Sequence, residues 1–209
     1  MRESTQILVI GGGPAGSTAA GLLAREGYEV TLLEREHFPR YHIGESILPA
    51  IAPILDVLGA REKVAHYGFQ PKGGTYFFWG PEEWDVRFSE LADGTTNAWQ
   101  VTREDFDQLL LDHAKESGVD VHEGIAVKEV EFDGERSVAA RWESLDDDSS
   151  GRISFDYLVD ASGRGGVLAH HFKVRRFHDV FKNVAAWAYW TGGKPLDRGE
   201  WNMTPPTVN

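Results

Sequence analysis

Three glycines with a fixed spacing are the residues whose types most directly indicate chemistry. Gly11, Gly13 and Gly16 form the pattern G-x-G-x-x-G directly after the apolar run 7–10, and residues 14–25 have the pattern of a helix. Such a loop permits a tight turn, a close approach of the backbone to a diphosphate, and close packing of the helix on the strand. The free N–H groups at the start of that helix favour an anion. The sequence therefore predicts a diphosphate-binding loop.

A carboxylate after the next predicted strand strengthens this interpretation. Residues 29–33 have the pattern of a second strand, and Glu34 follows them. Glu34 lies close to the distance at which an acid accepts hydrogen bonds from an adenosine ribose. The glycine pattern alone leaves an ordinary glycine turn open as an alternative. The combination of strand, glycines, helix, strand and terminal acid favours nucleotide binding.

Other residue types that could do chemistry give weaker signals. The sequence has eight histidines and no cysteine, which excludes disulfides, thiolate metal sites and cysteine nucleophiles. His170 and His171 are adjacent and would point apart in regular structure, while His37 and His42 lie in a predicted loop, so no metal site is predicted. Ser162 lacks the G-x-S-x-G context of a hydrolase nucleophile.

The elements that position these residues are predicted from hydrophobic periodicity and turn chemistry. Helices are predicted over 48–58 and 61–66, with Pro53 as a candidate kink, and a third helix follows Thr102 as cap, with Asp105 as its capping-box partner, and ends at Gly118. Strands are predicted over 75–79, 84–88, 99–101, 125–132, 137–142, 153–159 and 183–190. A hairpin turn is predicted at Asp133-Gly134. Loops are predicted over 91–97 and 145–151, and an unstructured tail around 204–206.

The order of these elements predicts an α/β protein with two interleaved units. Residues 1–70 and 98–170 are expected to form a Rossmann-like nucleotide-binding domain. Residues 71–97 and 171–209 are expected to supply strands to part of a second, mainly β and aromatic-rich domain. The second unit looks unfinished, because the chain stops just after its predicted aromatic strand.

Composition and charge limit the classes of function that the chain can have. The chain has 209 residues, of which 41% are apolar, as in globular proteins. Its 21 basic and 33 acidic side chains give a net charge of −12, which argues against nucleic acid or an anionic membrane as the main partner. No apolar stretch approaches the ~20 residues of a membrane span. The N-terminus runs straight into the first strand and leaves no room for a signal peptide, so a reducing cytoplasm is the expected location.

Three segments resemble the flavin-dependent monooxygenase superfamily with the p-hydroxybenzoate hydroxylase type of fold. They are the glycine pattern with Glu34 and Arg35, residues 100–107 (QVTREDFD), and residues 160–163 (DASG). The resemblance implies a Rossmann-like FAD-binding domain. It implies that the cofactor contacts are Gly11, Gly13, Pro14, Ala15, Gly16, Glu34, Arg35, Arg40, Ile43, Gly44, Glu45, Ser46, Gln100, Arg103, Val127, Asp160, Ser162 and Gly163.

Within that superfamily the chain is most similar to flavin-dependent halogenases. The segments that carry this likeness are residues 38–49 (FPRYHIGESILP) and 68–74 (GFQPKGG). In that family the first segment lies beside the flavin, and the lysine of the second is catalytic, which makes Lys72 its match. A lone lysine is more often a solvated surface charge, but an amine whose pKa falls on burial suits this chemistry.

The resemblance also implies the reaction and its participants. Reduced FAD, supplied by a separate flavin reductase, reacts with O₂ to a hydroperoxide, and chloride or bromide converts this to hypohalous acid. Lys72 would hydrogen-bond that acid or form a haloamine, and an electron-rich aromatic (phenol, pyrrole or indole type), free or bound to a carrier protein, takes the halogen.

The sequence departs from the halogenase pattern at two points. It contains no Trp-x-Trp-x-Ile-Pro motif and no later Gly-Asp segment. We therefore expect the N-terminal portion of a longer protein, or a truncated relative. Two alternatives remain: an aromatic hydroxylase or prenyl-chain reductase of the same fold, in which the lysine would be dispensable, and a non-catalytic, truncated FAD-binding fragment.

Overall fold

The computed structural model describes residues 1–91, 98–182, 184, 186–189 and 191–192. Its strands are β1 (Ser4–Ile10), β2 (Val30–Leu33), β3 (Gln70–Lys72), β4 (Gly74–Trp79), β5 (Glu82–Arg87), β6 (Ala98–Gln100), β7 (Asp120–His122), β8 (Ile125–Asp133), β9 (Arg136–Ser144) and β10 (Ser150–Asp160). Its helices are α1 (Pro14–Arg25), α2 (Ile51–Leu58), α3 (Arg61–His66), α4 (Phe88–Leu91), α5 (Arg103–Glu116) and α6 (Val167–His171).

The largest sheet in the described part of the chain has six strands in the order β7-β2-β1-β10-β9-β8. Strands β7, β2, β1 and β10 run parallel, and β9 and β8 add antiparallel partners at one edge. Because parallel strands end at the same edge, the residues that follow β1, β2 and β10 lie together. The chain leaves β1 towards β2 and returns to its other side only at β10, and such a switch point is where α/β sheets bind ligands.

Two apolar clusters cover the faces of this sheet. Ile7 and Val9 face α1 and α5, where they pack with Leu111 and Ala114. On the opposite face Leu8 packs in one cluster with side chains of β8, β9 and β10. Successive side chains of β1 point to opposite faces of the sheet, and both faces are covered by packed side chains. Both faces of the strand are therefore apolar, as in a strand buried between two layers.

A third cluster lies between α2, α3 and α5 and carries the remaining strands. Leu55, Val64 and Phe106 form its centre, with Trp99 of β6 packed against them. Strands β3 and β6 form an antiparallel pair beside this cluster, and β4 and β5 form a separate hairpin. The cluster therefore fixes the position of β6, and through it the position of β3.

Several boundaries differ from the sequence-based predictions. Strands β3 and β7 and helices α4 and α6 were not predicted, and the second strand of the aromatic hairpin ends at Arg87, since Phe88 already begins a short helix. The helix predicted from residue 48 begins at Ile51. Pro53 is the third residue of this helix. The N–H groups of the first turn have no intrahelical partner, so the missing N–H of proline costs no hydrogen bond there, and the helix continues through Pro53.

Two further predictions fail on a specific contact. Thr102 precedes α5 as its N-cap residue, but its side chain makes no capping hydrogen bond, so the predicted capping box is wrong. Within the strand predicted over 183–190, the described residues 184 and 186–189 have no strand structure, and the other positions lie outside the described residues. Most of the loop predicted over 91–97 and the tail at 204–206 also lie outside them.

Candidate functional site

The glycine loop, residues 11–16, connects β1 to α1. Gly11 has a φ of +101°, and a Cβ there would lie 2.5 Å from the carbonyl oxygen of Ala161. A Cβ on Gly16 would lie 1.8 Å from the carbonyl oxygen of Gly11. These two positions require glycine because the backbone of the loop and of the segment after β10 fill the space.

Gly13 differs from the other two glycines of the loop. Its φ is −66°, which any residue adopts, and it precedes α1, whose first residue is Pro14. The nearest atom to a Cβ at Gly13 is Nη2 of Arg40, at 3.4 Å. Ala15, next in the helix, is exposed. This side of the loop is therefore open to a ligand, with a guanidinium beside it.

Glu34 ends β2 and holds the glycine loop. Its side chain is buried, with 5% exposure, and Oε2 accepts a 2.6 Å hydrogen bond from the Gly12 N–H. Oε1 accepts the Glu36 N–H at 2.8 Å. A carboxylate oxygen can accept a second hydrogen bond. Glu34 can therefore shape the loop and still accept a hydroxyl donor, whereas its neighbour Arg35 is exposed and pairs with Glu36 at 3.5 Å.

Asp160 organises the third predicted segment. One carboxylate oxygen accepts hydrogen bonds from the N–H and the hydroxyl of Ser162, and the other accepts the Leu168 N–H at 2.7 Å. Gly163 has a φ of +60° and is exposed. The carboxylate of Asp160 therefore closes the turn that presses against Gly11, so that the loop after β10 forms one wall of the site.

A buried carboxylate links two arginines beside the glycine loop. Asp107 of α5 is fully buried and pairs with Arg103 through two contacts, at 2.7 and 2.9 Å. Its Oδ2 lies 3.4 Å from Nη2 of Arg40, whose Nε lies 3.2 Å from Glu36. The Arg40 guanidinium also covers the ring of Phe38, 4.6 Å from the centroid.

Asp107 was missed by sequence reasoning. It lies on the buried side of α5, next to Phe106, and four residues after Arg103. An acid at that spacing from an arginine, beside an apolar helix position, is the signal that could have identified it.

Residues 43–46 form the loop between the arginines and the lysine. The carbonyl of Ile43, whose side chain is exposed, accepts a hydrogen bond from Arg103 at 2.9 Å. Gly44 has a φ of +117°, and a Cβ there would lie 2.8 Å from Nη1 of Arg103. Burial raises the pKa of the Glu45 carboxyl, but hydrogen bonds from two backbone N–H groups and from Tyr189, together with Arg103, leave the pKa below its usual value.

The Lys72 amine is enclosed by the protein. Lys72 is 3% exposed, and its Nζ donates a hydrogen bond to the hydroxyl of Ser46. The amine lies 5.1 Å from the centroid of the Phe88 ring. Burial lowers the pKa of the amine from its ordinary value of 10.5. Among the described residues no carboxylate pairs with it, so the amine lacks the counter-ion that a structural buried lysine would need.

The predicted residues Gln100 and Val127 lie in two different regions. Gln100 ends β6, makes a bridge with Ser46, and has a buried side-chain oxygen without a hydrogen-bond partner. Val127 lies on β8 and packs on the cluster of Leu8 and Leu33. The structure therefore brings Gln100 next to the lysine region, while Val127 lies near the end of β2.

The polar groups fit a nucleotide with an anionic diphosphate. In the described part of the chain, Nη1 of Arg40 and Oε1 of Gln100 are buried and have no partner. The first is a donor beside the open side of the glycine loop, and the second is an acceptor next to residues 43–46. Buried polar atoms of this kind are expected to be hydrogen-bonded in the liganded protein.

Comparison with known proteins decides the family. A model of the FAD binding domain matches residues 4–190. The chain belongs to the FAD binding domain family. FAD is therefore the cofactor of this domain, as the family resemblance predicted.

The most similar relatives include halogenases. This FAD-binding chain is 54% identical to a tryptophan 2-halogenase from Chondromyces crocatus over 191 residues, which is 91% of the chain and 36% of the relative. It is 50% identical to the flavin-dependent halogenase armH2 from Armillaria mellea, over 91% of the chain and 38% of that relative. The chain therefore spans little more than a third of the length of these relatives.

A solved structure gives the same result. The myxobacterial chondrochloren halogenase CndH is 42% identical and superposes with a TM-score of 0.73, over 78% of this chain and 38% of CndH. The predicted likeness to flavin-dependent halogenases and the predicted α/β FAD-binding fold are confirmed.

Among the helices that the structure describes, none is long and apolar enough to cross a membrane.

Proposed function

We propose that the protein is an FAD-dependent halogenase that chlorinates or brominates an electron-rich aromatic ring. The observation that carries this proposal is the amine of Lys72, which is buried beside a hydroxyl and an aromatic ring and has no counter-ion among the described residues. Burial lowers the pKa of this amine, so its neutral form is more accessible than that of a solvated lysine. The names of the relatives support the same reaction class.

The FAD-binding residues have distinct tasks in this proposal. The N–H groups at the start of α1 and the Arg40 guanidinium bind the diphosphate, because both face the open side of Gly13. Glu34 accepts a ribose hydroxyl while it holds the loop. Gln100, Arg103 and the 43–46 loop contact the cofactor from the side of Lys72. When reduced FAD is bound, it would supply the oxidised halogen as hypohalous acid, together with O₂ and chloride or bromide.

Lys72 acts on that oxidant by one of two routes. The ammonium donates a hydrogen bond to the oxygen of hypohalous acid, so that the halogen is more electrophilic and the ring exchanges a proton for it with release of water. In the other route the neutral amine takes the halogen and releases water, and the ring then takes the halogen from nitrogen and returns its proton. Both routes require an amine that is shielded from bulk water, as Lys72 is.

The finer features of the proposal follow the family likeness. A separate flavin reductase would supply reduced FAD, and the protein would act in the cytoplasm. The substrate would be a phenol, pyrrole or indole, free or on a carrier protein; one relative is named for tryptophan. Residues 1–70 and 98–170 would form the FAD-binding domain, and residues 71–97 and 171–209 would contribute to a substrate domain.

A bromide-dependent product assay tests the proposal. The chain, and in parallel the complete reading frame that encodes it, is incubated with a flavin reductase, NADH, FAD, bromide and a phenolic or indolic probe. We expect the isotope pair of a monobrominated product in the mass spectrum, and its loss in the Lys72→Ala variant. Bromination that persists in Lys72→Ala would remove the lysine from the mechanism. A hydroxylated product without a bromide requirement would favour an aromatic hydroxylase.

A further inference from the structure

We infer that the Ser46 hydroxyl is the positioning group of the Lys72 amine, holding it in one direction by a hydrogen bond in either protonation state of the amine. Its meaning for catalysis rests on the proposed halogenase function, but the contact itself does not. The Nζ of Lys72 donates to Oγ of Ser46, and this is the hydrogen bond that the described residues offer the amine. Ser46 was predicted as a flavin contact, so the inference gives its hydroxyl a different task.

Strand register explains why these two residues meet. Lys72 pairs with Ala98 in the antiparallel β3–β6 ladder, and Ser46 bridges Gln100 from the other side of β6. Paired residues of antiparallel strands, and residues two apart on one strand, point to the same face. Lys72, Ala98, Gln100 and Ser46 therefore share one face, which we call the lysine face. The small Ala98 side chain lets the lysine cross β6 to the serine.

The opposite face explains why this arrangement is fixed. Trp99 lies between Ala98 and Gln100 and is buried in the cluster of α2, α3 and α5, where Ile47 also packs. The Ile47 N–H donates to the Trp99 carbonyl at 3.0 Å, and the Val101 N–H donates to the Glu45 carbonyl at 2.8 Å. The backbone on both sides of Ser46 is thus paired with β6, and the serine cannot move away from the lysine without breaking these bonds.

A hydroxyl suits both protonation states of the amine. It accepts a hydrogen bond from the ammonium, and it can donate its own proton to the lone pair of the neutral amine. A carboxylate would do only the first and would hold the lysine charged. The groups that face the amine in the described part of the chain are the Ser46 hydroxyl and the Phe88 ring, with no acid or second cation. The serine therefore steadies the amine without fixing its charge.

The test reads the Lys72 amine directly, without halogenation. The chain is labelled with carbon-13 lysine, and the Lys72 signal, assigned by its absence in Lys72→Met, is followed against pH. In Ser46→Ala we expect the pKa of Lys72 to fall further, by about 1, because the hydrogen bond from the charged ammonium is stronger than the one to the neutral amine and its loss costs the charged form more. Ser46→Thr retains the hydroxyl and should restore the wild-type pKa. An unchanged pKa in Ser46→Ala would overturn the inference.

Two controls separate a local effect from a structural one. Lys63 and Lys128 have ion-pair partners of their own, Glu116 and Glu143, and their carbon-13 signals should keep their positions in the variant. FAD affinity, measured by flavin fluorescence, shows separately whether the Ser46 side chain also contacts the flavin, and the inference about Lys72 does not depend on that result. Loss of FAD with an unchanged Lys72 pKa would return Ser46 to the role of a flavin contact.

Product formation then connects the contact to the reaction. With bromide and a flavin reductase, Ser46→Ala should brominate about 10-fold more slowly than Ser46→Thr. If wild type does not brominate, the halogenase proposal fails while the titration still decides the Ser46 inference. If wild type brominates and Ser46→Ala matches it, the positioning role fails alone.

Discussion

The glycine loop and the lysine face differ in how far the described chain satisfies their polar groups. At the loop, both carboxylate oxygens of Glu34 and both of Asp160 accept hydrogen bonds from the surrounding chain. At the lysine face, a buried amine has a single hydroxyl partner, and the buried oxygen of Gln100 has none. The loop itself is therefore a preformed scaffold, with the unpaired Nη1 of Arg40 beside it, whereas the lysine face keeps its own groups available for a ligand.

On the basis of this difference we assign FAD binding to the glycine loop and the chemistry to the lysine face. The shape of the loop follows from backbone contacts that a few glycines permit, so its capacity for FAD should depend on sterics. The lysine face follows from the pairing of β3 and the 45–47 segment with β6, and its value depends on a pKa and on one hydrogen bond. Substitutions at the two regions should therefore have effects of different kinds.

Steric substitutions in the glycine loop should give the largest effects. Gly16→Ala places a Cβ 1.8 Å from the Gly11 carbonyl oxygen, so we expect unfolding free energy to fall by about 3 kcal/mol or more, with loss of FAD. Gly13→Ala is the matched control, because the nearest atom lies at 3.4 Å. It should cost less than about 1 kcal/mol but weaken FAD at least about 10-fold. Urea unfolding and flavin fluorescence measure both; equal stability of the two variants would refute the steric account.

The carboxylate between the two arginines should come next. Asp107→Asn leaves Arg103 and Arg40 without their buried counter-ion, and we expect a loss of about 3 kcal/mol. Asp112→Asn on the same helix breaks an exposed pair with Lys115 and should cost less than about 1 kcal/mol. Urea denaturation compares the two variants. Similar losses would mean that the arginine pair does not depend on Asp107.

The pH dependence of stability at the lysine face should give the smallest effect. Burial lowers the folded-state pKa of Lys72, so the unfolded chain binds more protons between that pKa and 10.5, and stability rises with pH in this window. Lys72→Met lacks this contribution. It should be more stable than wild type at pH 7, and the difference should shrink as the pH approaches 10.5. Urea titrations at several pH values test this, and a difference independent of pH would contradict it.

The same contrast explains what the sequence could predict. Gly11, Gly16 and Glu34 act over a short stretch of chain, and their spacing alone indicated the loop. Lys72 could be singled out only through the family resemblance, since nothing in its own segment distinguishes it from a surface lysine. Strand β3 was missed because Gln70-Pro71-Lys72 has little β propensity and becomes a strand only by pairing with β6.

Long-range contacts account for the other differences. The role of Asp107 depends on Arg40, which is 67 positions earlier and reaches it only in the folded chain. The aromatic alternation over 183–190 favoured a strand, but a strand needs a paired neighbour, and the described residues of that segment have none.

The most direct measurement is a combined assay of FAD binding and bromination on Lys72→Met and Gly13→Ala. If the loop holds the cofactor and the lysine acts on the oxidised halogen, Lys72→Met keeps wild-type FAD affinity and forms no brominated product, while Gly13→Ala binds FAD more weakly and brominates more slowly at limiting FAD. Bromination by Lys72→Met at the wild-type rate, or loss of FAD from that variant, would contradict the separation of the two regions.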